Sequence, residues 1–200
     1  FRSPCGVWDR FKPVYFQDFM DSEEMRRETW RRKIETDKTM KKAEPNRGHR
    51  AVEKLVREGK VSAVITQNID GLHQASGVPD EKVIELHGNS TYASCLDCGE
   101  RHELAEILVP FERDETLPKC KNCGSPHVKT ATISFGQQMP EDAMRAAEIE
   151  ALACDLMIAI GSSLVVYPAA GFPLMAKRNG AKYAILNRDE TEHDGYADFV

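Results

Sequence analysis

Val61-Ser62-Ala63-Val64-Ile65-Thr66 runs directly into Gln67-Asn68-Ile69-Asp70-Gly71, and this stretch decides the fold. A short apolar run ending abruptly in amides, a carboxylate and glycine reads as a buried strand whose carboxyl end opens into a ligand loop. The same pattern recurs three times. Val83 to Leu86 leads into His87-Gly88-Asn89, Leu156 to Ile160 into Gly161-Ser162-Ser163, and Tyr183 to Leu186 into Asn187-Arg188-Asp189. Helical segments separate several of the runs: Glu141 to Ala153 carries apolar residues at helical spacing, and Ala169 to Asn179 is closed by Gly180. Strands alternating with crossover helices predict an α/β chain with an open, doubly wound parallel sheet.

The four polar clusters then share the edge where such sheets bind ligands. Gly161 with two hydroxyls suits close backbone approach to a phosphate or ribose, and Asn and Asp side chains can fix sugar hydroxyls or an amide. A lone histidine at a strand end is ordinarily a packing residue. His87 shares its edge with groups suited to a ribose, which makes it the candidate for proton transfer near neutral pH. His49 and His73 fall on helical or turn segments and take a structural reading. The chain contains no Gly-x-Gly-x-x-Gly fingerprint, so a standard dehydrogenase is disfavoured.

Outward from this core, Asp21 to Lys42 is rich in helix formers, and Asp21 with Glu24 resembles a capping box. Arg26, Arg27, Arg31, Arg32, Lys33, Lys38, Lys41 and Lys42 give that helix a basic face, read as solvated. Asn46 can cap a second helix running to Glu58, with Gly59 at its end. Thr91 to Thr130 changes character, becoming rich in Cys, Gly, Pro and Lys, and reads as an inserted module. Within it Cys95-Leu96-Asp97-Cys98 and Cys120-Lys121-Asn122-Cys123 are separated by 21 residues, with Gly99 and Gly124 directly after each pair. Four thiolates in two such hairpins suit tetrahedral Zn²⁺, and a full set of protein ligands leaves no open position, so the zinc is structural. The rival reading, redox or disulfide pairs, is weaker because neither pair opens a helix after a strand. His102 and His127 are superfluous as ligands, and Cys5 and Cys154 are left as unpaired thiols.

The bulk properties bound the rest. Two hundred residues, 41% hydrophobic and 30% charged, suffice for one α/β domain with a small appendage. No apolar stretch is long enough to span a membrane, no signal-peptide core opens the chain, and a cytoplasmic protein is expected. A net charge of -5 argues against non-specific nucleic-acid binding. The chain starts at Phe1 and stops at Val200 after a strand-like ending, which reads as a fragment.

Phe1-Arg2-Ser3-Pro4, Pro45-Asn46-Arg47-Gly48-His49, Thr66 to His73, Glu85-Leu86-His87-Gly88-Asn89, the paired cysteines, Phe135-Gly136 and Gly161-Ser162-Ser163-Leu164 occur together in one order. In that order they resemble the sirtuin family, of bacterial type and truncated at both ends. The resemblance implies a Rossmann-like NAD-binding large domain of residues 1-7, 43-90 and 131-200, and a small domain built from a helical module (8-42) and a zinc module (91-130). It implies an NAD-dependent protein deacetylase or deacylase that moves the acyl group of a lysine onto ADP-ribose and releases nicotinamide, with His87 as general base. Phe1, Arg2, Gln67, Asn68, Ile69, Asp70, Gly161, Ser162, Ser163, Asn187 and Arg188 match NAD contacts. Ile133, Phe135, Gly136 and Val165 match the wall of an acyl-lysine tunnel, where an extended peptide adds as a strand. The family's Gly-Ala-Gly-rich phosphate segment is absent, Ser162 stands where Thr is common, and Gln137 stands where Glu is common. No Tyr occurs between Phe16 and Thr91, so the Tyr-x-x-Arg reader of acidic acyl groups is missing and neutral acyl groups are expected. Two rivals stay open: ADP-ribosyl transfer or NAD hydrolysis on the same fold, and a non-catalytic zinc-ribbon binding module.

Overall fold

A computed structural model describes residues 12–200. Phe1, Arg2, Cys5 and the start of the helical module at Trp8 lie outside them. In chain order the helices are α1 (Phe16–Asp21), α2 (Glu23–Met40), α3 (Arg47–Arg57), α4 (Leu72–Ala75), α5 (Leu104–Asp114), α6 (Glu141–Ala153) and α7 (Gly171–Arg178). The strands are β1 (Val64–Thr66), β2 (Val83–Glu85), β3 (Gly88–Cys95), β4 (Arg101–His102), β5 (Val128–Thr132), β6 (Leu156–Ile160) and β7 (Lys182–Leu186).

The parallel strands pair as β1–β2 and β6–β7, each in register over its full length. Just past each ladder one further hydrogen bond crosses the pair: Leu86 N–H donates to Thr66 O (3.0 Å), and Gly161 N–H to Leu186 O (2.9 Å). The polar loops therefore start from fixed strand ends. Helices α6 and α7 cover one side through a core of Leu86, Ala147, Ala151, Ala169, Phe172, Ala176 and Ala181. Small residues dominate it, so the helices approach the strands closely.

Full burial of the strands, the sequence expectation, does not hold at β6. Leu156, Ile158 and Ile160 are 46%, 42% and 53% exposed, because among the described residues helices and loops cover only the face carrying Met157 and Ala159. The Val61 to Thr66 run also yields only three strand residues, since Val61 is spent on bonding its N–H to Leu55 O at the turn after α3.

The inserted region folds as an antiparallel sheet, β4–β3–β5. Its α5 was not expected from the sequence. Leu104, Ile107, Leu108 and Phe111 follow helical spacing, but Pro110 inside the run argues against a helix. Trp30 of α2, fully buried, joins Ala93, Cys95, Ile107, Leu108, Phe111, Cys120 and Val128 in one core.

The first long helix also differs from expectation. Asp21 ends α1, and the cap of α2 is Ser22, whose Oγ accepts from Met25 N (3.3 Å). The α2 basic face is not uniformly solvated: Lys33 is buried with Asp37, and Arg31 makes a two-pronged bond to Glu115 (2.5 and 2.6 Å). In α3 the capping box pairs Asn46 with His49, and Gly59 follows its end at φ 71°.

Candidate active site and metal centre

Each cysteine pair forms the same knuckle. Cys95 O accepts from Gly99 N and Cys120 O from Gly124 N, both at 2.9 Å, and both glycines sit at φ 76°, a left-handed turn that suits glycine. Cys95 N–H and Cys120 N–H are held in turn by Glu100 O (2.9 Å) and Ser125 O (2.8 Å). The four Sγ atoms lie within 4.8 Å of one another, with Cys95–Cys123 at 3.6 Å and Cys98–Cys120 at 3.5 Å. A tetrahedral zinc with bonds of about 2.3 Å needs S–S edges of about 3.8 Å, so the donor set fits zinc and fills its coordination. His102 and His127 stand outside this set. His127 instead pairs through Nδ1 with Asp97 (3.1 Å), whose carboxyl is held below its ordinary range by hydrogen bonds first from Ser125 and then from His127.

At the β1 and β2 ends, the backbone does most of the positioning. His87 Nδ1 lies 3.1 Å from Gln67 O, and Ser90 N–H donates to Ile69 O (2.8 Å). A carbonyl can only accept, so Nδ1 carries the hydrogen and Nε2 keeps the lone pair of the neutral ring. Asn68 N–H is taken by Thr66 Oγ1 (3.0 Å) and Leu72 N–H by Asp70 Oδ1 (3.0 Å), which fixes the loop between. Beside this loop the His49 and His73 rings meet at a tilt of 60°, their centroids 5.0 Å apart; burial, and then the nearby His49, lower the His73 pKa.

The turn after His87 tolerates only glycine. Gly88 has φ 71°, and a Cβ there would lie 2.0 Å from Ala131 O. Glu85 Oε1 braces the same corner by accepting from Gln74 Nε2 (2.9 Å) and Asn89 Nδ2 (2.8 Å), while Asn89 Oδ1 takes Thr91 N and Oγ1. Gln74 and Thr91 are not singled out by the sequence, and Glu85 only as part of the motif around His87, because their bonds exist only once these separate segments meet at one corner.

His87 O accepts from Ile133 N–H (2.9 Å), which brings the first expected tunnel residue to the histidine. Ser134 to Gln137 then forms a tight turn with Gly136 at φ 81°, closed by Gln137 N to Ser134 O and by Ser134 N to Gln137 Oε1, both 3.0 Å. The Gln137 side chain thus serves its own turn. Phe135 is half exposed, and its backbone pairs with Tyr15, a contact not foreseen, through Phe16 N to Phe135 O (2.8 Å). At the second pair of strand ends, Ser162 Oγ accepts from Leu164 N (3.2 Å), holding Leu164 at φ 57° beside the exposed Val165. Asn187 Nδ2 donates to Asp189 O (2.8 Å), and Arg188 pairs with Asp189 at the surface. The hydrogen bonds join Gln67 and Ile69 to His87 and Ser90, and Gly161 to Leu186, as two separate groups.

Parallel strand pairs opening into polar loops, with a four-thiolate ribbon at one flank and a histidine of fixed tautomer at a strand end, define a zinc-ribbon-bearing Rossmann-like enzyme. Comparison with known proteins narrows this. The model of the Sir2 family matches residues 1–168, and the chain belongs to that family, the sirtuins. An NAD-dependent protein deacetylase 1 of Bradyrhizobium diazoefficiens is 57% identical over 200 residues, covering 100% of this chain and 78% of the relative. An NAD-dependent protein deacetylase of Rhodopseudomonas palustris is 56% identical, covering 100% and 79%. A Sir2 protein solved with a deacetylated peptide and 3'-O-acetyl ADP ribose superposes with a TM-score of 0.87 at 38% identity, covering 100% of this chain and 79% of that one.

Proposed function

We propose that this chain is an NAD-dependent protein lysine deacetylase in which His87 is the general base. Family membership supports the activity; the bond between His87 Nδ1 and Gln67 O carries the assignment of the base, because it leaves Nε2 free to take a proton. Bound NAD supplies an electrophilic ribose carbon with nicotinamide as its leaving group. The Gln67 to Asp70 loop, fixed at Asn68 and Asp70, would hold that ribose and the nicotinamide amide. Ser162, whose oxygen already accepts from Leu164, still has its hydroxyl hydrogen to donate, and with Gly161, Ser163, Asn187 and Arg188 it would take the phosphates and the second ribose. Ile133, Phe135, Gly136 and Val165 would line an apolar passage for the acyl-lysine, keeping water from the reacting carbon. The peptide would run along the half-exposed Phe135 edge next to Tyr15.

The cysteine ribbon would hold zinc as a structural brace. Residues 8–42 and 91–130 would form one small unit, since Trp30 packs into the ribbon's core. We place the protein in the cytoplasm, where thiols used as metal ligands stay reduced. No helix among the described residues is long and apolar enough to cross a membrane.

The test follows peptide mass and nicotinamide after mixing the protein, or His87→Ala, with NAD and an acetyl-lysine peptide. Peptide-dependent nicotinamide release with loss of the acetyl mass, lost in the variant, is expected. Equal nicotinamide release without peptide would instead identify an NAD hydrolase, and labelled protein an ADP-ribosyltransferase.

A further inference from the structure

Lys33 and Asp37 lie one turn apart on α2, on a helix otherwise edged with solvated ion pairs. Both are more than nine-tenths buried. Lys33 Nζ donates to Asp37 Oδ1 and to the main-chain carbonyl of Ser90 (2.8 Å). Among the described residues Asp37 Oδ2 is buried without a hydrogen bond, and Lys41 Nζ lies 3.7 Å from it. Such a pair is a poor stabilising device: desolvation offsets most of the attraction, and well-packed apolar residues of similar size commonly do as well or better. An orphaned carboxylate oxygen adds to the cost.

What the pair does have is a specific target. Ser90 stands three residues beyond His87, and its main chain is held on both sides of its Cα: Lys33 donates to the carbonyl, and the N–H donates to Ile69 O (2.8 Å). Ile69 belongs to the loop whose Gln67 carbonyl orients His87. One ammonium on α2 thus reaches, through Ser90, both segments that set the imidazole and the nicotinamide pocket. From this geometry we infer that Lys33 and Asp37 are positioning residues for the deacetylase reaction, a latch by which α2 fixes the His87–Ser90 corner against the Gln67–Asp70 loop. Asp37 keeps the ammonium aimed, and Lys33 delivers the contact. The inference rests on the deacetylase reading for its kinetic consequence, while the latch itself is a structural claim.

The experiment compares the parent protein with Lys33→Met/Asp37→Leu and with Lys33→Arg, measuring kcat and both KM values, thermal midpoint, and amide hydrogen exchange at Ser90. Removing both charges leaves no unpaired ion, which offsets the donor lost to the buried Ser90 carbonyl, so the double variant is expected to melt close to the parent. Its Ser90 amide exchanges faster, and its kcat falls by about tenfold to a hundredfold with KM for NAD and peptide changed less than about twofold, as for a small misplacement of a reacting group. Lys33→Arg keeps charge and donors and retains both Ser90 protection and kcat. A double variant with parental kcat and Ser90 protection overturns the latch. So does a kcat that falls while Ser90 stays protected, in either variant; this reading also decides the matter through Lys33→Arg if the double variant does not fold. A parent protein without peptide-dependent deacetylation would defeat the proposed function instead, and Ser90 exchange would still decide whether the latch exists.

Discussion

The cysteine corner and the histidine corner lie at opposite ends of the same strand, β3, and are built in opposite ways. At Cys95 and Cys120 each ligand pair is positioned by its own knuckle, with hydrogen bonds spanning four or five residues. At His87 every positioning contact comes from far along the chain: Gln67, Ile133, and, through Ser90, Ile69 and Lys33. A metal site assembled from local turns needs little besides those turns and the ion. A catalytic corner assembled from four segments needs the whole fold. The difference predicts that damage to the ribbon spreads to the active corner, whereas damage at His87 stays local.

The largest effect is therefore expected at the metal. Chelation, or Cys120→Ser at a buried ligand, should remove zinc, unfold the β3–β5 sheet and abolish activity with it, since a structural zinc contributes its binding energy to folding. Circular dichroism alongside metal content measures this. Retained fold and activity after verified zinc loss would erase the contrast between the two corners.

His87→Ala comes next. Activity should fall by about a hundredfold or more, the usual worth of a general base, while zinc content stays at one per chain and the thermal midpoint moves only slightly. The half-buried ring gives up a single hydrogen bond to Gln67 O, worth about 1 kcal/mol. A cooperative collapse on this substitution would mean that the corner supports the fold instead of depending on it.

The same contrast explains what the sequence could disclose. Ligand spacing with a glycine after each second cysteine was enough to find the metal set, because the signal and the structure are both local. Helices α3 and α6 and the strand of Leu156 to Ile160 were legible from caps and periodicity for the same reason. Lys33 was misread because an i,i+4 Lys–Asp pair on a basic helix looks identical whether water or Ser90 O faces it. Tyr15 carried no signal, and Glu85 entered only as part of the motif around His87, since their partners, Phe135 for the one and Asn89 with Gln74 for the other, are placed by the packing of separate elements. No single motif pointed to His87; the shared edge of the strand-end clusters did, together with the family resemblance.

Gly88→Ala probes the seam directly. An alanine must both hold φ near 71° and push the Ala131 carbonyl away from a 2.0 Å contact, in the register where Gly88 faces Thr132. A loss of at least about 2 kcal/mol in stability is expected from strain and displacement together, with activity reduced in the folded fraction and zinc retained. Urea denaturation of the zinc-loaded protein reads it. If zinc is lost as well, the seam transmits strain the length of β3 and the two corners are one unit.

The smallest effect at neutral pH belongs to Lys129, buried on β5 between the corners. Among the described residues its ammonium donates only to the backbone carbonyls of Thr130 and Thr132, and burial pushes its pKa down to about 8. An unfolded lysine titrates near 10.4, so between about pH 8 and pH 10.4 the unfolded chain holds the extra proton and the native chain does not. Stability contributed by this group must therefore rise with pH across that window and stay flat below it, by an amount on the order of 3 kcal/mol for a shift of this size. Lys129→Met should remove the slope and leave the midpoint at pH 7 no lower, because the variant no longer buries an unpaired charge. Denaturation series at pH 7, 8, 9 and 10 for both proteins isolate the contribution of Lys129, since other alkaline titrations are common to the two. An unchanged slope in the variant would show that the carbonyls of Thr130 and Thr132 fully compensate the buried ammonium, making this stretch of β5 a rigid bridge between metal and base.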